Sequence, residues 1–131
     1  MLEKVFGPFK DYSLLLLRIG IGGVFLAHGV IKFASGVQGV GVFFAQIGIP
    51  LSGIMAPAVV AMEFFGGLAI LLGTGTRMAA LLLTTVMVVA MVTVTLARGF
   101  ADGYDLNIAL LGGLLCLLLA GPGKPALGGD L

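Results

Sequence analysis

A chain of 131 residues, 60% of them hydrophobic and only 10% charged, has a mean hydropathy of +1.21. No soluble domain of this size could bury that much apolar surface, whereas a bilayer can, so the composition specifies an integral membrane protein. The net charge of +1 says nothing about nucleic acid, but no basic run is present to bind it and no nucleic-acid partner is expected; a single cysteine, Cys116, excludes an internal disulfide.

Four apolar stretches follow one another, roughly Leu14–Ala34, Gly53–Leu72, Thr76–Ala97 and Tyr104–Ala120. Each is near the ~17–25 residues that a helix needs to cross a bilayer. The first span is followed by "HGVIKF" and by no small-residue cleavage site, which argues against a signal peptide. Between spans one and two, "GVQGVGVFFAQIGIPLS" is apolar but too short and too glycine-rich to cross. It reads as an interfacial or re-entrant segment capping one mouth of the bundle. "GTGT" joins spans two and three as a tight antiparallel hairpin, and "GPGKPALGG" stops the fourth span with Pro122 and Pro125. The expected architecture is all-α, a four-transmembrane-helix bundle forming a single domain over residues 1–131.

Charge sets the orientation. With the N-terminus inside, Lys4, Lys10, Arg18, Arg77 and Lys124 lie on the cytoplasmic side, against Lys32 and Arg98 outside. This bias places both termini in the cytoplasm.

Between Gly53 and Leu72 the only charged residue is Glu63. A carboxylate there must be neutral, paired or facing a cavity. At ~1.5 Å per residue, Arg18 sits ~6 Å in from the cytoplasmic face, Glu63 ~14 Å in and His28 ~21 Å in, with Lys32 close to the outer interface. Helical side chains lean toward their own N-terminus. His28 and Lys32 therefore lean inward and Glu63 leans toward them, while Arg18 leans toward cytoplasmic water. These directions and depths select His28 as the expected partner of Glu63. Gly66 and Gly67, at i+3 and i+4 from Glu63, give that helix a smooth packing face, and Pro57 marks a site for a kink.

The polar residues also have structural readings. Arg18 can snorkel to headgroups, Lys32 and Arg98 can anchor the interface, and Arg77 marks a span boundary. Asp105, in the first turn of the fourth helix, complements the helix dipole. His28 and Glu63 can serve packing as neutral, hydrogen-bonded groups. No CxxC, bis-histidine haem pair, dinucleotide fingerprint or P-loop is present. Any electrons handled here would thus pass through a partner's cofactor or a lipid-soluble molecule; no covalent cofactor and no metal site are expected.

The segments "RIGIGGVFLAHGVIKF", "FFAQIGIPLS", "AMEFFGGLAILLGTGTRMAALLL", "ARGFADGYDLN" and "GPGKPAL" together resemble the DoxX family of small bacterial four-helix membrane proteins. The match rests on HG-x-x-K, E-x-x-GG and L-G-x-x-T-R at these spacings, and spans most of residues 18–127. The resemblance implies a multi-pass protein of the bacterial plasma membrane, linked to membrane oxidoreductase systems. One branch is similar to a subunit of thiosulfate:quinone oxidoreductase, and others are tied to oxidative and thiol stress. It points at Arg18, His28, Lys32, Glu63 and Arg77 as the family's polar positions. This chain departs from the pattern at Thr95, where many relatives have histidine, and at Asp105, where glutamate is common. The first change counts against a two-histidine metal site or proton relay.

Three functions follow from these residues. The first is a membrane redox subunit binding quinone or a similar amphiphile, with Glu63 and His28 catalytic. Lys32, Arg18, Phe43, Phe44, Arg77 and Asp105 would then be substrate-binding, in a pocket opening beneath the Ser35–Ser52 segment. The others are a scaffold recruiting soluble redox enzymes and a small proton-coupled transporter, either of them able to work as a homo-oligomer.

Overall fold

Long apolar runs broken only by glycine- and proline-bearing turns fold as helices that satisfy their own backbone groups, the form a bilayer demands. The computed structural model describes residues 1–128. Helix α1 (Leu2–Phe6) and a 3-10 stretch (Gly7–Tyr12) run directly into α2 (Ser13–Ser35). Helix α3 (Val37–Gln46) follows, then α4 (Ser52–Leu72), α5 (Thr76–Ala90) and α6 (Asp105–Ala120). Beyond Ala90, α5 continues as a π-helical turn, Met91–Thr95, and a 3-10 turn, Leu96–Arg98. The α5–α6 connection breaks helical geometry at Ala101, Asp102 and Gly103.

Four of these helical runs are long and apolar enough to cross a membrane; their limits lie within four residues of the expected spans, except that the first run begins at Leu2 rather than Leu14. The 10 residues of α3 make a helix of about 15 Å, too short to cross. Large apolar side chains on the outer faces, among them Leu16, Ile31, Phe65, Val92 and Leu119, are exposed and suited to lipid.

The principal contact is between α2 and α4, and both sequences show why. Along α4 the buried residues Ala56, Val60, Glu63, Gly67 and Ile70 are spaced four, three, four and three apart, one stripe of a helix. Along α2, Arg18, Ile21, Gly22, Phe25 and Gly29 form the facing stripe. Glycines bring the two backbones together. A Cβ at Gly67 would lie 2.5 Å from the Leu26 nitrogen, and one at Gly29 would lie 2.6 Å from the Phe64 nitrogen. Gly66, expected on the same smooth face, turns instead to α5, where an added Cβ would meet Leu83 at 3.1 Å.

The core occupies one half of the bundle. Ile21 and Phe25 of α2 meet Ile70 of α4, Ala79, Ala80, Leu83 and Met87 of α5, and Leu110, Leu114 and Leu117 of α6. Asn107 is the buried polar residue at the edge of this cluster, donating from Nδ2 to the Met87 sulfur at 2.8 Å. The other half, toward α3 and Arg98, is hollow.

At the packed end the chain folds back after Ala120, and the backbone amides of Leu127 and Gly128 donate to the carbonyls of Leu72 and Gly73. Arg18, only 2% exposed, holds this end together. Its Nε donates to the Ile70 carbonyl at 2.9 Å and its Nη2 to that of Leu71 at 2.9 Å. Its Nη1 donates to the carbonyls of Pro122 at 3.1 Å and Pro125 at 2.6 Å. The expectation that Arg18 leans out to water is therefore corrected. At the end of α4 the Ile70 carbonyl accepts from the capping Gly73 amide at 3.2 Å, and the guanidinium fork adds a donor to Ile70 and supplies one to Leu71 while binding the returning segment. Gly73 makes room for this, with φ +71° and a Cβ position that would fall 2.6 Å from Arg18 Nη2.

Candidate functional site

A cavity of about 770 Å³ opens in the hollow half, roofed by α3 and walled by α2, α4 and α5. Its size falls within the ~300–1,000 Å³ typical of small-molecule sites. Phe43 and Phe44, on successive positions of α3, both line it, with ring centroids 6.4 Å apart. Met55, Val59 and Met62 contribute the α4 wall, and Leu82, Val86 and Val89 the α5 wall. The π-helical turn brings Thr93, Val94 and Thr95 into the lining, and Arg98 follows at the end of the same helical run. Such a turn adds a residue to the helical repeat and reorients the side chains that follow.

Glu63 is 5% exposed and faces the bundle interior, as expected. Its partner is Lys32, whose Nζ lies 2.7 Å from Oε1. This corrects the expected pairing with His28. Depth and lean were read properly, but the azimuth decides. On α2 the packing stripe passes through Gly22, Phe25 and Gly29, and one further turn along it stands Lys32, whereas His28 is a residue off that line. Gly29 packs on the backbone of Phe64, so the Lys32 stem, leaning back toward Gly29, arrives beside Glu63. His28 is exposed and still lines the cavity, and among the described residues it makes no hydrogen bond.

The lysine side chain is 30% exposed and the glutamate side chain 6%. One ammonium therefore reaches both the cavity and the carboxylate. Glu63 Oε2 is buried and, among the described residues, has no hydrogen-bond partner. A buried carboxylate oxygen without a donor is costly and marks a place where a guest could bind.

Of the expected site residues, Glu63, His28, Lys32, Phe43 and Phe44 come together around the cavity. Arg18, Arg77 and Asp105 do not, and their expected role in substrate binding is corrected. Arg18 is committed to four carbonyls at the opposite end. Arg77, at the start of α5, donates to the Leu119 carbonyl at 3.3 Å, near that same end. Asp105 opens α6 and accepts a hydrogen bond from the Leu106 amide at 2.7 Å, the dipole-complementing role its position suggests. Sequence reasoning missed Arg98 and Thr93 as lining residues. Their signal was their distance along α5, two to three turns beyond Val86, on a helix whose continuation past Ala90 changes its repeat.

The DoxX family model matches residues 13–96, from the start of α2 to the end of the π-helical turn. The chain is 35% identical over 111 residues to "Putative oxidoreductase CatD" of Bacillus subtilis (strain 168), covering 85% of this chain and 81% of that protein. It is 34% identical over 119 residues to "Inner membrane protein YqjF" of Escherichia coli (strain K12), covering 87% and 88%. A third relative, "Uncharacterized membrane protein Rv3486" of Mycobacterium tuberculosis (strain ATCC 25618 / H37Rv), is 33% identical over 125 residues, covering 86% and 77%. No solved structure matches the chain. With the family model spanning well over half of the sequence, and four helices able to cross a membrane, this chain is a multi-pass membrane protein belonging to the DoxX family.

Proposed function

We propose that the chain is the membrane subunit of an oxidoreductase system in the bacterial plasma membrane, and that its cavity receives a quinone or a similar apolar-ring amphiphile. The observation that carries this reading is the Lys32–Glu63 pair set in the wall of a largely apolar cavity of about 770 Å³. A quinone would supply there the two-electron chemistry that the side chains lack. The residues fit such a guest. Phe43, Phe44, Met55 and Met62 offer apolar and aromatic surface to a ring. Lys32 Nζ spends one of its three N–H bonds on Glu63 and has others for an oxygen on the ring. Glu63 can exchange a proton with that oxygen, and His28, one turn before Lys32, can pass protons toward the cavity mouth. Electrons would come from or go to a soluble partner enzyme. The name of the Bacillus subtilis relative supports a redox role in general terms.

The test uses a cysteine reporter. In a Cys116→Ser background, Thr93→Cys places a thiol in the cavity lining, and Val30→Cys places one on an exposed surface outside it. Decyl-benzoquinone with the remaining ring positions substituted, so that it cannot add a thiol, should slow maleimide labelling of the first thiol and leave the second unchanged, and should raise the thermal midpoint of the purified protein. Labelling of Thr93→Cys unaffected by a saturating quinone, with no midpoint shift, would refute the reading.

A further inference from the structure

Glu63 offers its partners two oxygens of different standing. Oε1 accepts from Lys32 at 2.7 Å, whereas Oε2 is buried with no donor among the described residues. An ionised carboxylate only accepts hydrogen bonds, so the group that completes this site must donate one. The other side chains lining the cavity near Glu63 on α4 are Met55, Val59 and Met62, none of which donates. The hydroxyls that line it from α5 are turned back on their own helix. Thr85 donates to Leu81, Thr93 to Val89 and Thr95 to Met91. The missing donor is therefore not supplied by these walls.

We infer that the cavity selects a guest carrying a hydroxyl donor, the quinol of an apolar ring in preference to the corresponding quinone, with Glu63 Oε2 as the acceptor. This rests on the quinone-linked reading above and adds to it the redox form that is bound. A quinone presents two carbonyl oxygens, both acceptors, and would set a lone pair against Oε2. A quinol presents O–H groups, and one of them satisfies the bare oxygen while Lys32 donates to the hydroxyl's own oxygen. Oε2 is buried as it stands, and a turn of the carboxylate about its soft terminal torsion is what would present it to a guest in the cavity. The guest is thus held between an ammonium donor and a carboxylate acceptor on facing helices. Glu63 is a binding residue for the reduced form, and the pair discriminates between forms that share nearly the same shape.

The experiment measures dissociation constants anaerobically in detergent by calorimetry. Its probes are three compounds of one skeleton: decyl-hydroquinone, decyl-benzoquinone and the dimethyl ether of decyl-hydroquinone. In the native protein the hydroquinone should bind about 10- to 100-fold tighter than either of the others, the range expected for a hydrogen bond to a buried charged group. Glu63→Gln, whose amide can donate to a carbonyl, should erase or reverse the preference. Should that variant fail to fold, the comparison of hydroquinone with its ether in the native protein decides alone. Quinone binding as tightly as hydroquinone, or a preference that survives Glu63→Gln, overturns this inference and leaves the quinone-linked reading standing. If none of the three compounds binds, both readings fall.

Discussion

Replacing Arg18 with lysine keeps the charge and tests what the guanidinium contributes. Arg18 makes four hydrogen bonds to four carbonyls, two at the end of α4 and two in the segment after α6. A lysine ammonium has three donors on one atom and cannot span the fork, so at least two of these carbonyls lose their partner. At about 1–2 kcal/mol per lost charge-assisted bond, after water at the interface recovers part of the difference, the substitution should cost about 2–4 kcal/mol. The loss should also be local. The amides of Leu127 and Gly128 remain bonded to α4 and its turn, but the Pro122 and Pro125 carbonyls are released. Two measurements follow: reversible unfolding in mixed micelles, and hydrogen exchange of the Leu127 and Gly128 amides, which report how often the returning segment opens. Arg18→Lys should unfold at lower denaturant and exchange these amides faster than the native protein, while the cavity-reporter labelling stays unchanged. Stability within about 0.5 kcal/mol of the native value, with unaltered exchange, would show that the four bonds do not close this end of the bundle.

The Lys32–Glu63 pair should respond unequally to loss of either member. Lys32→Met leaves a carboxylate that is 95% buried without its cation and should cost about 2–4 kcal/mol, whereas Glu63→Gln leaves a partly exposed lysine facing a neutral amide and should cost about 1 kcal/mol; equal losses in the same micelle assay would show that the carboxylate is not held as an ion. The expected orientation rests on the bias of Lys4, Lys10, Arg18, Arg77 and Lys124 over Lys32 and Arg98. Reporter fusions after Lys10, within Gly73–Thr76 and after Lys124 should read as cytoplasmic and one near Asp102 as external, and a periplasmic C-terminus would reverse the assignment.

The spans were legible because hydropathy and helix length are properties of contiguous sequence. Ser13–Ser35 and Ser52–Leu72 each lie within one residue of the expected limits. The roofing helix was legible for the same reason, since Val37–Gln46 is apolar yet too short to cross. The cavity beneath it, with Phe43 and Phe44 in its wall, followed from that placement. What failed depends on rotation about a helix axis and on contacts between residues far apart in the chain. Choosing His28 over Lys32 used depth and lean, neither of which fixes the azimuth about the helix axis. The glycine stripe of Gly22 and Gly29 fixes the angle at which α2 faces α4, and carries Lys32 onto the seam. The role of Arg18 was hidden because its acceptors are backbone carbonyls, which carry no residue-type signal. Two of them lie more than 100 residues away in a segment whose fold-back the sequence does not announce.

The same glycines connect packing to chemistry. Close approach at Gly22, Gly29 and Gly67 is what allows a lysine stem and a glutamate on facing helices to meet at 2.7 Å. Stability alone gives little reason for that meeting. A buried ion pair recovers roughly what its desolvation costs, and two well-packed apolar side chains of similar volume would often do better by about 1–4 kcal/mol. The bundle already contains such packing in its other half, where Phe25, Ile70, Leu83, Leu114 and Leu117 leave almost no accessible surface. The hollow half does the opposite. It keeps a charged pair, leaves one carboxylate oxygen without a donor and holds open a volume that larger side chains could fill. Each of these features costs stability, and all three occur at one place. A guest that fills the volume and donates to that oxygen would offset all three together, which is why the cavity, rather than the bundle around it, is where function should be sought.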